Sequence, residues 1–149
     1  MIGTVRVSTH LDVPADRAWE LARRSDTFRY VTRGVLGFRS PEPLPELWRE
    51  GRASRGRLVL FHLVPGWTHE IRVTAVDSRT REIRTQEAGG PITAWNHRIR
   101  IQSEGDGCRY TDEVRISAGM LTPLVWAYSR VVFRYRQMRW RRLARASAG

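Results

Sequence analysis

Two short stretches of the sequence share a pattern that could carry chemistry. Residues 67–73 read WTHEIRV and residues 95–101 read WNHRIRI, so each stretch places a histidine two positions after a tryptophan. An imidazole titrates near neutral pH, and it can move a proton, bind a metal ion or orient a ligand. The repeated pattern therefore marks His69 and His97 as candidate site residues.

Both stretches alternate between apolar and polar residues, which is typical of a β-strand with one buried face. Because alternate residues of a strand share a face, Trp67 and His69 fall together with isoleucine and valine, and so do Trp95 and His97. The arginines of both stretches fall on the opposite face, which we expect to be exposed to solvent. Both histidines are therefore predicted to point into the protein.

An inward acidic side chain is predicted near His97. A two-residue loop at Gly105-Asp106 would pair Ile99 with Asp112, and Asp112 would then be a diagonal neighbour of His97. Diagonal neighbours in a sheet have backbones about 7–8 Å apart, and long side chains can approach more closely. The predicted register therefore forms a His97–Asp112 pair.

The same reasoning gives His69 an acidic neighbour. A three-residue turn at 78–80 would pair Ile71 with Glu87, which places Glu87 diagonally from His69. A slip of one residue in the register would move the acidic side chain to the other face of the sheet. The prediction of two histidine–carboxylate pairs therefore depends on both turns.

Two such pairs on an inward face allow four interpretations. They can satisfy one another within the core, because an unpaired buried charge is costly. They can be the polar groups of a ligand cavity, or the acid and base of an enzyme. They can also bind a metal ion, but no metal site is predicted, because the four side chains come from four separate strands without a close-set ligand motif. No cofactor motif is recognised either.

The composition fits one domain spanning residues 1–149. The formal net charge is +11 and all 26 basic residues are arginines, so we expect attraction to anionic partners such as nucleic acid or lipid headgroups. The first residues lack the pattern of a secretory signal, and the single cysteine, Cys108, excludes an internal disulfide. We therefore expect a cytoplasmic protein.

The elements that position these residues follow from turn and capping signals. A strand over residues 5–13 precedes a helix that begins near Pro14 and a second short helix that Gly34 ends. A further turn is predicted at Pro65-Gly66. The antiparallel strands of a meander are predicted near residues 46–51, 56–64, 67–76, 81–88, 92–103 and 108–117.

A long helix is predicted from Thr122-Pro123 to about Arg145. The row expected to lie across the inward face of the sheet is Leu124, Tyr128, Val131, Tyr135 and Met138, flanked by Val132. The outward side is expected to carry Arg130, Arg134, Arg141 and Arg145 beside Trp126, Phe133 and Trp140. This side is predicted to form a homodimer interface, to contact an anionic membrane or nucleic acid, or to be covered by loops or the N-terminal helices.

The chain resembles the START-like, helix-grip superfamily over essentially its whole length. VSTHLDVPADRAWELARRSD at 7–26 is similar to the opening of its polyketide cyclase/dehydrase-type bacterial members, and GCRYTDEVRISAGMLTPLVWAYSRVVFRYRQMRWRRLAR at 107–145 is similar to their last strand and helix. The resemblance implies an α+β fold in which a curved antiparallel sheet of about seven strands wraps around a long C-terminal helix, with two short helices after the first strand.

The resemblance also implies a cavity for a hydrophobic or amphipathic ligand, but it carries over no catalytic motif. We therefore expect a binding protein for a polyketide, lipid or quinone-like compound. Its predicted ligand-binding residues are Trp67, His69, Glu87, Trp95, His97, Tyr110, Asp112 and Tyr128. One alternative is an aromatase/cyclase or dehydratase-type enzyme that uses His97 with Asp112 as acid and base. Another is an interaction module that docks through the arginine and aromatic face of the last helix.

Overall fold

The structure is a computed structural model that describes residues 1–148, and its alternating segments form a seven-stranded antiparallel sheet. The strands are β1 (Gly3–Leu11), β2 (Leu36–Arg39), β3 (Ala53–Leu60), β4 (Val64–Asp77), β5 (Glu82–Gly89), β6 (Ile92–Glu104) and β7 (Gly107–Ser117). The helices are α1 (Ala15–Ala22), α2 (Ser25–Thr32) and α3 (Thr122–Ala148). A short 3-10 turn, Gly119–Leu121, leads into α3.

The strand order is β1-β7-β6-β5-β4-β3-β2, and the sheet curls around α3. Short turns join most consecutive strands, whereas β1 reaches β7 at the far end of the meander. The two short helices lie between β1 and β2 along the chain. This arrangement is the helix-grip fold, so the predicted fold class is confirmed.

Alternation of side chains gives the sheet one buried face. Along β4, His69, Ile71 and Val73 are buried, while Arg72 is exposed. Tyr110, Asp112, Val114 and Ile116 of β7 are all fully buried. The arginine-bearing face is the outer one, as predicted, because the guanidinium groups remain hydrated there.

The first half of the sheet differs from the predicted strands. Residues 46–51 do not form a strand; Leu47 makes only an isolated bridge to Arg24, and the Trp48 amide donates to the Arg23 carbonyl. This segment therefore lies beside the junction of α1 and α2. The strand β2 was not predicted, because its four residues, LGFR, are too short to show an alternating pattern.

The turn predicted at Pro65-Gly66 is also wrong. Both residues lie within β4, and the reversal between β3 and β4 occurs at residues 61–63. Phe61 and His62 adopt left-handed backbone angles there, with φ of 53° and 57°. The imidazole of His62 accepts a hydrogen bond from the Gly34 amide at 3.0 Å, so a contact from another part of the chain helps to hold this turn.

Helix α3 packs on the sheet through a different face from the predicted one. Leu124 and Val131 of the predicted row are 69% and 64% exposed. The buried face consists of Ser129, Val132, Phe133, Arg136, Gln137, Trp140 and Ala144. A purely apolar row does not predict this face, because it contains polar residues, of which Gln137 donates a hydrogen bond to the Val7 carbonyl inside the protein.

The expectation of an outward aromatic line on α3 is therefore wrong for Phe133 and Trp140, which are 1% and 2% exposed. Trp126 is half-buried, and its indole N–H donates to the Thr4 carbonyl at 2.8 Å. The outer side keeps its arginines, of which Arg130, Arg134 and Arg145 are exposed, while Arg141 donates to Thr9 Oγ1 at 3.0 Å. Within residues 1–148, no helix is long and apolar enough to cross a membrane.

Candidate functional site

A cavity of about 490 Å³ lies between the curled sheet, α2 and α3. Most of its wall is apolar, with Phe28 from α2, Ile71 from β4, Ile99 from β6 and Val132 from α3 as representative members. Seven of the eight residues predicted to bind a ligand line this cavity: Trp67, His69, Glu87, Trp95, His97, Tyr110 and Tyr128. The eighth, Asp112, is fully buried behind the wall and contacts two lining residues, His97 and Tyr110.

The His97–Asp112 pair forms as the predicted register requires. Ile99 lies opposite Asp112 and His97 lies opposite Val114. The Nε2 atom of His97 is 2.7 Å from Oδ1 of Asp112. Because an ionised carboxylate can only accept hydrogen bonds, this contact assigns the Nε2 proton to His97.

Asp112 is held by further donors. The Tyr110 hydroxyl donates to its Oδ1 atom at 3.2 Å, and the Gln137 amide of α3 donates to its Oδ2 atom at 3.2 Å. Burial alone would raise the pKa of Asp112, but the hydrogen bond from His97 and the positive charges of His97 and Arg136 bring it below the ordinary value. Asp112 is therefore an ionised group at neutral pH although it is fully buried.

The second pair, His69–Glu87, also forms. Ile71 lies opposite Glu87, and the His69 Nε2 atom is 3.1 Å from Glu87 Oε1. The Thr85 hydroxyl donates to the other carboxylate oxygen at 2.6 Å. Burial would raise the pKa of Glu87, but the hydrogen bond and charge of His69 outweigh it, so the pKa lies below its usual value.

Aromatic rings hold the two pairs in place. The Trp95 ring lies 6.0 Å from that of Phe133, and the His97 ring lies 5.0 Å from Phe133 in an edge-on arrangement. Tyr110 stacks against Trp140 with ring centroids 4.7 Å apart. Burial and the charge of Asp112 raise the pKa of Tyr110 well above its usual value, so its hydroxyl stays protonated.

Tyr128 lines the cavity, but its hydroxyl is already engaged. It donates to the Val35 carbonyl at 3.2 Å, and Tyr135 likewise donates to the Arg33 carbonyl at 2.6 Å. These two tyrosines therefore attach α3 to the segment that follows α2. In this geometry Tyr128 contributes a ring to the cavity wall, and its hydroxyl proton is not directed at a ligand.

Several residues that line the cavity were not predicted to do so from the sequence. Phe133, Arg136 and Trp140 of α3 face the cavity, and their spacing of three and four residues is the signal that could have found them. Phe38 and Trp48 also line it, but the strand β2 that carries Phe38 was not predicted, and the segment of Trp48 was wrongly predicted to be a strand. At one end the cavity is bordered by exposed apolar residues, among them Phe61 and Leu124.

Each histidine of the cavity is paired with one carboxylate. Within the part of the chain that the structure describes, no three His, Cys, Asp or Glu side chains lie close enough together to hold a metal ion. Each histidine instead contacts one carboxylate, which also accepts hydrogen bonds from neighbouring side chains. The arrangement can orient a ligand or exchange a proton with one.

Comparison with known proteins gives one family match. Residues 9–146 match the family model described as a domain of unknown function, DUF8410. No curated protein sequence matches the chain.

Several solved structures are similar over nearly the whole chain. The protein TTHA0849 from Thermus thermophilus is 17% identical with a TM-score of 0.72, covering 99% of this chain and 100% of that one. A START superfamily protein from Mycobacterium smegmatis is 11% identical with a TM-score of 0.72, covering 96% and 97%. Ara h 8.0201 is 11% identical with a TM-score of 0.63, covering 91% and 95%. These similarities show that the chain shares the helix-grip fold of these proteins.

Proposed function

The chain belongs to the DUF8410 family, and from the geometry of its cavity we propose that it binds a small hydrophobic or amphipathic molecule between the sheet and α3. The observation that carries the proposal is the cavity itself, about 490 Å³ in volume and lined mainly by aromatic and aliphatic side chains. Small-molecule sites are typically concave, apolar and roughly 300–1,000 Å³ in volume, with a few polar groups that orient the ligand. Polyketide, lipid and quinone-like compounds are the ligand classes that suit such a wall.

The polar groups of the wall support the same proposal. His69 and His97 are rigidly held by their carboxylate partners, at 3.1 Å and 2.7 Å. Fixed polar groups in an apolar wall select the orientation of a guest, because a ligand atom that fails to match them loses a hydrogen bond. Trp67 and Trp95 add flat apolar surfaces close to them.

Two neighbouring valines of α3 provide a direct test. Val132 is 6% exposed and lines the cavity, whereas Val131 is 64% exposed and lies outside it. A Val132→Trp variant should fill the space and weaken binding of the neutral fluorophore N-phenyl-1-naphthylamine by roughly tenfold or more, since overpacking excludes the guest. Val131→Trp should bind it as the wild type does.

Fluorescence titration measures the affinity, and circular dichroism checks that both variants fold. Native mass spectrometry of the protein purified from its own host would then identify a molecule that occupies the cavity. Equal affinity of the two variants for the fluorophore, or no binding by the wild type, would count against the proposal.

A second candidate function is acid–base catalysis by His97 on a bound carbonyl compound. It is favoured by one observation, the hydrogen bond from His97 to the ionised Asp112 at the cavity wall, because a carboxylate partner orients and tunes a catalytic imidazole. An aromatase/cyclase or dehydratase reaction would use such a group. Tyr128 does not suit the role of a proton donor to an enolate in such a reaction, because its hydroxyl donates to the Val35 carbonyl.

The His97→Ala variant separates the two candidates. If the wild type converts a poly-β-ketone thioester and the variant binds N-phenyl-1-naphthylamine but no longer converts the thioester, catalysis is supported. If the wild type binds the fluorophore and converts no member of a substrate panel, the binding function stands alone.

A further inference from the structure

The cavity wall contains an arginine with a buried hydrogen-bond donor that has no acceptor. Arg136 of α3 is 8% exposed and lines the cavity. Its Nε atom has no hydrogen-bond partner, and within residues 1–148 no carboxylate lies in ion-pair contact with its guanidinium. A buried cation without a partner is costly, so this position calls for an explanation.

Aromatic rings account for only part of the environment of Arg136. Its guanidinium carbon lies 4.8 Å from the ring centre of Phe133 and 6.0 Å from that of Phe28. Such cation–π contacts engage the faces of the guanidinium. The N–H donors lie in its plane, so the rings hold the group in position without accepting its hydrogen bonds.

The acidic groups of the region are already occupied. Both oxygens of Glu87 accept hydrogen bonds, from His69 and Thr85. Both oxygens of Asp112 do as well, from His97 and Tyr110 on one side and Gln137 on the other. The protein therefore satisfies its buried acceptors with its own donors and leaves the strongest donor of the cavity unmatched.

Two further polar atoms of the wall lack partners. The indole Nε1 of Trp67 and the Nδ1 of His69 are buried and make no hydrogen bond. Indole can only donate. Unpaired buried polar groups are uncommon in folded proteins and call for a partner, and these two belong to the same cavity as Arg136.

We propose, on the basis of the binding function above, that the ligand of this cavity carries a carboxylate or a similar oxyanion that binds to Arg136. The planar guanidinium matches a carboxylate with two parallel N–H···O contacts. The apolar wall excludes water and strengthens that interaction. The rest of the ligand occupies the aromatic and aliphatic space, and Trp67 donates to a further oxygen acceptor of the ligand.

A pair of probes that differ only in the head group tests this assignment. 4-(1-Pyrenyl)butanoic acid is ionised at pH 7.5, and 4-(1-pyrenyl)butanol has the same ring system and chain without the charge. Wild-type protein should bind the acid roughly 10- to 100-fold more tightly, the range expected for hydrogen bonds to a charged group. Quenching of tryptophan fluorescence and isothermal titration calorimetry measure both affinities.

Two arginine-to-methionine variants complete the experiment. Arg136→Met should lose the preference for the acid while still binding the alcohol, because methionine retains most of the apolar volume. Arg142→Met removes the same charge from an exposed position of the same helix, so it controls for the general positive charge of the protein and should keep the preference.

The outcomes separate this inference from the function on which it rests. Equal affinity of the wild type for both probes, or a preference retained by Arg136→Met, overturns the role of Arg136 and leaves a cavity for neutral guests. Failure of the wild type to bind either probe overturns the binding function, and the inference falls with it. If Arg136→Met does not fold, equal affinity of the wild type for the two probes still overturns the inference.

Discussion

The imidazole Nε2 atom of His97 lies 2.7 Å from the Oδ1 atom of Asp112, across two adjacent strands. Asp112 also accepts a hydrogen bond from Gln137 of α3. The same Gln137 amide nitrogen donates to the Val7 carbonyl of β1 at 2.8 Å. One buried carboxylate therefore connects β6, β7 and the long helix, so the residue that orients His97 also fixes the helix over the sheet.

An Asp112→Asn substitution should destabilise the fold at neutral pH. The carboxamide places an N–H₂ group where one of the carboxylate oxygens accepts hydrogen bonds, so this donor would face the donor groups of the neighbouring side chains. Breaking a buried charged pair typically costs about 3–5 kcal/mol, and we expect a loss of about 3 kcal/mol in the free energy of unfolding at pH 7. Urea denaturation followed by circular dichroism measures it.

The same variant should change the dependence of stability on pH. The pKa of Asp112 is lower in the folded protein than the ordinary value of 3.8, so the unfolded chain binds protons more readily in acid. The ionised Asp112 carboxylate therefore stabilises the fold fully above about pH 4–5, and this stabilisation is lost as the pH falls through the pKa of Asp112 in the folded protein. In Asp112→Asn, the free energy of unfolding should therefore fall less steeply as the pH is lowered through this range. The control Asp12→Asn removes a carboxylate that is 67% exposed, so its pH dependence should stay close to that of the wild type. An equally steep fall in both variants would contradict the assignment.

The register that brings both pairs together was predictable from the turns, although one turn differs from the prediction. Between β6 and β7 the two-residue loop forms as expected, with Glu104 paired to Gly107. Between β4 and β5, Asp77 pairs with Glu82, so the loop has four residues instead of three. A bulge between Val73 and Ala75 shifts the ladder by one residue and restores the pairing of Ile71 with Glu87.

That bulge could not be read from the sequence, because a bulge is one extra residue in an otherwise regular alternation. The β3–β4 turn was missed for a related reason. Pro65 and Gly66 are common turn residues, yet the chain reverses at Phe61 and His62, in left-handed angles that are uncommon for residues other than glycine. Long-range contacts, such as the one between His62 and Gly34, select that geometry.

The α3 side of the cavity shows the limit of hydropathy as a guide. The buried face includes Arg136 and Gln137, which a purely apolar criterion assigns to solvent. Gln137 donates to the Val7 carbonyl of β1, and the guanidinium of Arg136 lies near the ring of Phe28 of α2 as well as that of Phe133 on its own helix. The sheet half of the site could be predicted because alternation alone decides which side chains face inward, whereas the helix half depended on contacts that are distant in sequence.

Removing the Thr85 hydroxyl should weaken the ionisation of Glu87. The hydroxyl donates to Glu87 Oε2 at 2.6 Å, and it helps to keep the pKa of this buried carboxyl below its usual value. A Thr85→Val variant keeps the shape of the side chain, so the pKa of Glu87 should rise and the free energy of unfolding should fall by about 1 kcal/mol. Carboxyl ¹³C NMR titration measures the pKa of Glu87, and urea denaturation measures the free energy of unfolding. Thr68→Val, on the exposed face of β4, is the matched control, and an unchanged Glu87 titration in Thr85→Val would refute the contact.

The single thiol, Cys108, should react slowly in the folded protein. It is fully buried, and burial raises its pKa to about 11. Since the thiolate is the reactive form, we expect the rate of reaction with 5,5′-dithiobis(2-nitrobenzoic acid) at pH 8 to be lower by about 100-fold or more than in guanidinium chloride. Absorbance at 412 nm follows the reaction. A native rate close to that of the denatured chain would show that the thiol is accessible.

Two glycines with similar backbone angles can show whether the Trp67 ring is held by the β5–β6 turn. Gly90 has φ of 52°, and a Cβ atom placed there would lie 2.5 Å from Cγ of Trp67. Gly105 has φ of 59°, and a Cβ atom there would meet nothing within 4 Å. Both alanine variants carry the strain of a left-handed residue, about 1 kcal/mol, but only Gly90→Ala must displace the indole ring from the cavity wall.

Gly90→Ala should therefore weaken binding of N-phenyl-1-naphthylamine and shift the tryptophan emission, whereas Gly105→Ala should lose only the common strain energy. Denaturation measures the strain in both proteins, and fluorescence titration measures the binding. Equal affinities in the two variants would mean that the position of the Trp67 ring does not depend on the contact with Gly90. A difference confined to Gly90→Ala would establish that a backbone position in a turn determines the shape of the cavity, because the space for the indole exists only where residue 90 has no side chain.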